Sequence, residues 1–270
     1  MKRRLVPLLL AAALLALAAC YTNPVTGRRE LVLVSQAQEL SLGEQSFADV
    51  RKKEKASTNS AYNERVTRVG RRIAQAVGGD LPNARWEFVV FESKDVNAFA
   101  LPGGKVGVYT GLLQLAENDS ELAIVMGHEI GHVIARHGAE RMSQATLLQF
   151  GGAVAGAAIG SDEARKLFDT AYGAGTSVGV ALPHSRAQES EADRMGAVYA
   201  ARAGYDPRAS IVFWEKMIAQ QKSTAKSGAA GSGLSALLSM HPPDEKRIED
   251  LKALMPQVVP IYERNRGKFE

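Results

Sequence analysis

Cysteine is almost absent: Cys20 stands alone among 270 residues. No disulfide can form within the chain, so the fold must hold by packing alone. One long apolar run is present, Leu5 to Ala19, broken only by Pro7. It falls short of the roughly 20 residues that a membrane-spanning helix needs. Charge of one sign is missing too. The formal net charge of +4 drops to +1 once Lys2, Arg3 and Arg4 are set aside, leaving 30 basic against 29 acidic side chains. No basic field remains to draw a nucleic-acid partner. There is no internal repeat and no second domain boundary. Hydrophobic residues at 46% and charged residues at 23% are ordinary for a folded globular chain and exclude disorder as the default.

Lys2-Arg3-Arg4, the apolar run and its small-residue end together read as an export signal. Leu17-Ala18-Ala19-Cys20 resembles the bacterial lipobox, and this resemblance implies that Cys20 becomes a lipidated N-terminus. Tyr21, rather than Asp, follows it. By similarity to lipoprotein sorting in two-membrane bacteria, this implies an outer-membrane lipoprotein facing the periplasm. The expected organisation is a signal peptide over 1–19, a lipid-anchored tether over 20–34 with a turn at Asn23-Pro24, and one domain over 35–270.

Within that domain, Ser35 and Gln38 have capping-box spacing, and Val66, Val69 and Ile73 recur at helical intervals, so 35–78 reads as helical. Gly78-Gly79-Asp80-Leu81-Pro82 breaks the pattern. Trp86 to Phe91 and Lys105 to Thr110 read as strands on either side of the turn Leu101-Pro102-Gly103-Gly104. Helices are expected from Leu112, over 121–137, over 185–203, from Tyr205 through Ile218, and from Pro242 to Leu254. The segment GGAVAGAAIG at 151–160 reads as a helical hairpin packed on the core, or as a lid or membrane-facing segment. Residues 223–235 are low in complexity and read as a flexible loop.

The chemistry concentrates at His128-Glu129-Ile130-Gly131-His132, an H-E-x-x-H pattern. Side chains four apart share a helix face, so both imidazoles can reach one metal ion. Glu129 lies beside them, placed to accept a proton without being a ligand. Two histidines and a carboxylate in an apolar helix are costly unless they have partners. Catalytic zinc needs a third protein ligand and an open position. His137 lies about 140° further round a continuous helix and points away; it reads as a residue suited to a helix C-terminus. Ala135 and Gly138 exclude the metzincin pattern. The acidic stretch at 185–196 offers Glu189 and Asp193, four apart on one face, and Glu191 on another. Spacing favours Glu189 over Glu191 and leaves both open. His184 has no role in this reading and falls in a loop.

HEIGH, then SRAQESEADRMG at 185–196 and HPPDEKR at 241–247, resemble the gluzincin family that contains the CAAX prenyl endopeptidase. Within it, NPVTGRRELVLVS at 23–35 and NAFALPGGKVGVYTGLL at 97–113 are similar to the outer-membrane lipoprotein branch typified by LoiP and BepA, and to the mitochondrial Oma-type protease. The resemblance implies an α+β, helix-rich zincin fold with a small antiparallel sheet. It also implies one Zn2+ held by His128, His132 and Glu189, with Glu129 as catalytic base and Asp193 supporting a ligand. His241 and Arg247 are implied near the reacting carbonyl, His241 either steadying the oxyanion or capping the metal. The strand at Lys105 to Thr110 resembles the edge strand on which that family lays its substrate. The implied activity is endopeptidase cleavage of unfolded or misassembled envelope proteins, with outer-membrane assembly machinery as a partner. The rivals are a chaperone or assembly factor with latent protease activity, and a small-molecule zinc hydrolase.

Overall fold

The computed structural model describes residues 20–150, 162–173, 184–227, 235–242 and 244–268. The signal over 1–19 and the Gly-rich segment 151–160 lie outside these. Strands β1 (Cys20–Thr22) and β2 (Arg29–Leu31) pair antiparallel as a hairpin. The segment expected to be a tether is therefore folded onto the domain, and Asn23 in its loop is buried. Helices α1 (Gln36–Lys53) and α2 (Ser60–Val77) follow. Ser35 caps the first in a full capping box with Gln38, and Val66, Val69, Ile73 and Val77 form the buried face of the second.

Strands β3 (Glu87–Phe91), β4 (Ala98–Leu101) and β5 (Lys105–Tyr109) form a sheet in the order β3-β5-β4. Two expectations are corrected here. The sheet is mixed rather than antiparallel, since β3 runs parallel to β5 and only β4 opposes it. Lys105 to Tyr109 is the central strand, not an edge. The tight turn through Gly103 and Gly104, both with positive φ, folds β4 back onto one side of β5, and β3 takes the other.

Helix α3 (Thr110–Leu115) leads to α4 (Asp119–Ile134), which lies against β4. Every residue from Glu121 to Ile134 is buried. Helices α5 (His137–Phe150) and α6 (Asp162–Tyr172) pack on each other. Helix α7 (Arg186–Arg202) packs along α4. Its capping box at Ser185 and Gln188 fixes its start. Then come α8 (Ala209–Ser227), α9 (Ser235–Met240) and α10 (Glu245–Asn265), the last lying on the far side of α7. Residues 223–227, expected in a loop, continue α8; residues 228–234 lie outside the described set.

The sheet, α4, α7 and α10 therefore stack in that order. The approach of α4 to α7 is set by glycine. A Cβ at Gly196 would stand 2.8 Å from the His128 backbone nitrogen, and one at Gly127 would stand 3.1 Å from the Gly196 carbonyl oxygen.

Candidate metal centre

Helix α4 starts at Asn118, whose side chain accepts from the Glu121 amide at 3.0 Å, with Asp119 and Glu121 in the first turn where the dipole favours them. Two turns on, His128 and His132 emerge on the face that meets α7. Their Nε2 atoms are 3.0 Å apart. Helix α7 brings Glu189 opposite them, Oε2 at 3.5 Å from His128 Nε2 and Oε1 at 3.4 Å from His132 Nε2. His241, just after α9, completes the cluster, with Nδ1 at 3.2 Å from His128 Nε2 and 3.0 Å from Glu189 Oε1. One ligand atom from each of these four residues lies within 4.8 Å of every other. The other imidazole nitrogen of His241 is 3.3 Å from Glu129 Oε1. All five side chains are buried.

A divalent cation suits this set. The two Nε2 nitrogens and the two oxygens of the Glu189 carboxylate, all bearing lone pairs, converge, with contacts of 3.0, 3.4 and 3.5 Å among them. A single proton can serve only one of those contacts. His128 Nδ1 faces Asp193 Oδ1 at 3.0 Å; a carboxylate only accepts, so the proton belongs on Nδ1 and the lone pair on Nε2. Glu129 Oε1 is buried without a hydrogen bond among the described residues. Nitrogen and carboxylate donors in this number are the zinc-type set.

Asp193 and Arg247 form the layer behind. Arg247 donates to both Asp193 oxygens, at 2.7 and 2.8 Å, and its Nη1 lies 2.7 Å from Glu189 Oε2. Its guanidinium stacks 3.9 Å over Trp214, whose Nε1 donates to Asp193 Oδ1 at 3.2 Å. Arg247 therefore contacts Glu189 of the cluster directly and His128 through Asp193. Burial alone would raise the Glu189 and Asp193 carboxyls, but the neighbouring histidines and Arg247 outweigh it and hold both below the usual range. Glu129 goes the other way: burial raises it, and His241 and His128 only partly offset that. Burial pushes His132 well down, assisted by His128 and His137. His241 is raised despite its burial, because Glu189 and Glu129 face it.

The structure brings every expected site residue together except Cys20, which opens β1. It also adds three that the sequence reading placed elsewhere or left without a role. Helix α4 ends at Ile134, and Arg136 takes a positive φ of 54°. That bend is held by Glu39 and by Arg136 Nη2 donating to the Val34 carbonyl at 2.6 Å. His137 thus starts α5 instead of ending α4, and it turns back, with Nδ1 2.7 Å from His132 Nδ1 and Nε2 3.1 Å from Glu191 Oε2. Ala135, Arg136 and His137 include no glycine or proline, and the nearest glycine, Gly138, lies within α5. Glu191 faces away from the cluster, toward the N-terminal hairpin. His184 is buried, its ring centroid 3.7 Å from that of His132, beside Arg141, which burial lowers to about 10. A cavity of about 290 Å³ lined by His184, Glu189, Pro242 and Arg247 opens beside the cluster.

Residues 60–255 match the model of peptidase family M48. The mitochondrial metalloendopeptidase OMA1 of Saccharomyces cerevisiae is 28% identical over 90% of this chain and 71% of its own. The bovine metalloendopeptidase OMA1 is 33% identical over 89% of this chain and 47% of its own. The beta-barrel assembly-enhancing protease of Escherichia coli is 27% identical over 92% of this chain and 50% of its own. The chain thus spans about half the length of the last two. Because the family match covers most of the chain and takes in every residue of the cluster, the chain belongs to peptidase family M48 and is a metallopeptidase.

Proposed function

We propose that the chain is a zinc-dependent endopeptidase of the bacterial envelope that cuts unfolded or misassembled proteins, anchored to the outer membrane through a lipid on Cys20. The observation that carries the catalytic part is the convergence of His128, His132 and Glu189, with Glu129 buried beside them. In this reading those three hold one zinc ion. Bound there, zinc would supply Lewis-acid polarisation of the scissile carbonyl and acidify water. Glu129 takes the proton of the attacking water and passes it to the leaving amine. Asp193 holds His128 in the right tautomer, and Arg247 neutralises Asp193 and steadies Glu189.

His241 gives the resting state. Its Nδ1 lies where a fourth ligand would sit and its ring covers Glu129, so we read the described arrangement as latent. Displaced from that position, the same imidazole would be free to donate to the oxyanion. His241→Ala should raise turnover of an unfolded protein if capping dominates, and lower it by ~10-fold or more if oxyanion support dominates. Unchanged turnover removes both roles. Substrate addition as a strand falls to β4, the outer strand beside α4. Its residues are buried, so a substrate must first shift what covers them, which fits latency as well. Strand pairing is sequence-tolerant and suits extended segments of damaged proteins.

The envelope assignment rests on the lipobox-like LAAC and on a relative named for β-barrel assembly. No described helix is long and apolar enough to cross a membrane. Outer-membrane assembly machinery is the partner this reading expects. Incubating casein with and without chelator tests the activity: chelator-sensitive fragments support it. Binding without fragments favours the second reading, an assembly factor with a latent protease, which the capped cluster also accommodates. Mass spectrometry of membrane-extracted protein tests the anchor; an unmodified thiol at Cys20 would refute it.

A further inference from the structure

The N-terminal hairpin reaches the metal cluster through two intermediaries. Asn23 Nδ2 donates to Glu191 Oε1 at 2.8 Å, and the Thr26 hydroxyl donates to the same oxygen. Arg28 Nε donates to Glu191 Oε2 and, through Nη2, to Glu140 Oε2 at 3.0 Å. The loop holds its own shape: Asn23 Oδ1 accepts from the amides of Val25 at 2.8 Å and Thr26 at 3.2 Å, and the Gly27 amide donates to the Asn23 carbonyl at 2.9 Å. Glu191, fed by three donors from the loop, is left with an oxygen that only accepts, 3.1 Å from His137 Nε2. The proton of that contact therefore belongs to His137 Nε2. His137 then offers a bare Nδ1 to His132 Nδ1 at 2.7 Å. That contact holds one proton, which sits on His132, so His132 Nε2 keeps its lone pair toward His128 and Glu189.

We infer that Glu191 and His137 are positioning residues for the peptidase reaction: the loop Asn23–Arg28 holds Glu191, Glu191 orients His137, and His137 fixes His132 as an electron-pair donor at Nε2. Neither is a ligand. Glu191 faces away from the cluster, and His137 meets His132 on the nitrogen opposite the metal side. The inference rests on zinc being held by His128, His132 and Glu189.

Zinc affinity, read by competition with a chromophoric chelator, tests it apart from activity. His137→Leu should weaken zinc binding by about 10- to 100-fold, the usual cost of losing a partner behind a metal ligand, and should shift the visible spectrum of the cobalt-substituted protein. His137→Gln should restore most of both, because the amide presents one acceptor and one donor as neutral histidine does. Asn23→Ala with Thr26→Val, which leaves every cluster residue in place, should weaken zinc in the same direction. Unchanged affinity in His137→Leu overturns the inference; unchanged affinity in the hairpin variant overturns the loop's part in it. Should His137→Leu fail to fold, nitrogen-15 spectra of histidines in the zinc-loaded wild type decide. His137 protonated on Nε2 alone supports the arrangement, and His137 protonated on Nδ1, or on both nitrogens, overturns it. A wild-type chain that takes up no zinc overturns the metal reading and this inference together, whereas zinc uptake with unaffected variants overturns only the latter.

Discussion

Glu129 is buried and lies 3.3 Å from His241 across the mouth of the cluster. Burial raises its carboxyl above the usual carboxylate range, which strengthens it as a proton acceptor. Glu129→Gln is nearly isosteric and removes the proton acceptor. It should leave zinc content and thermal midpoint near wild type while lowering peptide cleavage ~10²–10⁴-fold, measured on an unfolded substrate; near-normal turnover would sink this role. At this scale the sequence was informative where spacing alone fixes geometry. His128 and His132 share a face on any helix, and Glu189 and Asp193 do so on another. It was misleading at His137, because the five-residue spacing places that side chain only on a helix that runs straight through Arg136, and α4 ends at Ile134. A non-glycine residue at positive φ, stabilised by Glu39 from a distant helix, has no local signature.

Elements meet at the crossing of α4 and α7, where Gly196 lets the backbones close. Gly196→Ala would press a methyl group against the His128 amide at 2.8 Å. Backbone on both sides leaves little room to yield, so ~1–3 kcal/mol of stability should be lost. Calorimetry should show the drop, with weaker zinc binding as Glu189 is carried away from the histidines. The start of α4 offers a pH test. Asp119 pairs with Arg65 and Arg68 at 3.0 and 2.8 Å, and although burial works against it, these cations hold its carboxyl below the usual range. An acid lowered on folding contributes stability above its unfolded value, about 3.9, and loses it as pH falls through that value to the folded one. Asp119→Asn should therefore cost about 1 kcal/mol at neutral pH, and its deficit should shrink below pH ~4; a deficit independent of pH would refute the account. The capping box of α1 and the apolar period of α2 were legible in the sequence. Strand β4 was not, because four residues leading into a Pro-Gly-Gly turn are too few to show alternation. Without it, β5 looks like an edge.

At the scale of the whole molecule, a metal bound in the cluster would add to the stability of the fold. Zinc that binds only the folded chain stabilises it by about 4 kcal/mol at a thousandfold excess over its dissociation constant, or roughly 10 °C for a chain this size. Chelation should lower the unfolding temperature accordingly, and Glu189→Ala should be low-melting with no response to chelator; an identical response in that variant would remove Glu189 from the ligand set. The family and the cluster were legible because HEIGH, ExxxD and HPPDEKR carry the chemistry locally. The hairpin's place was not, since nothing in NPVTGRR says that it will fold against a residue far along the chain.

Helix α7 is gripped from two directions. Residues 23–28 hold Glu191, 163 to 168 positions downstream of them, and Arg247 holds Asp193 from 54 positions beyond. Chain delivery runs in one direction only. A growing polypeptide can present HEIGH and Glu189 before His241 and Arg247 have left the ribosome. In that interval Asp193 has no guanidinium and Glu129 has no cover. The guanidinium behind Asp193 and the ring beside Glu129 therefore arrive together, late, when the same stretch of seven residues docks. Any delay in that docking lengthens the time during which the hydrolytic centre is only half assembled.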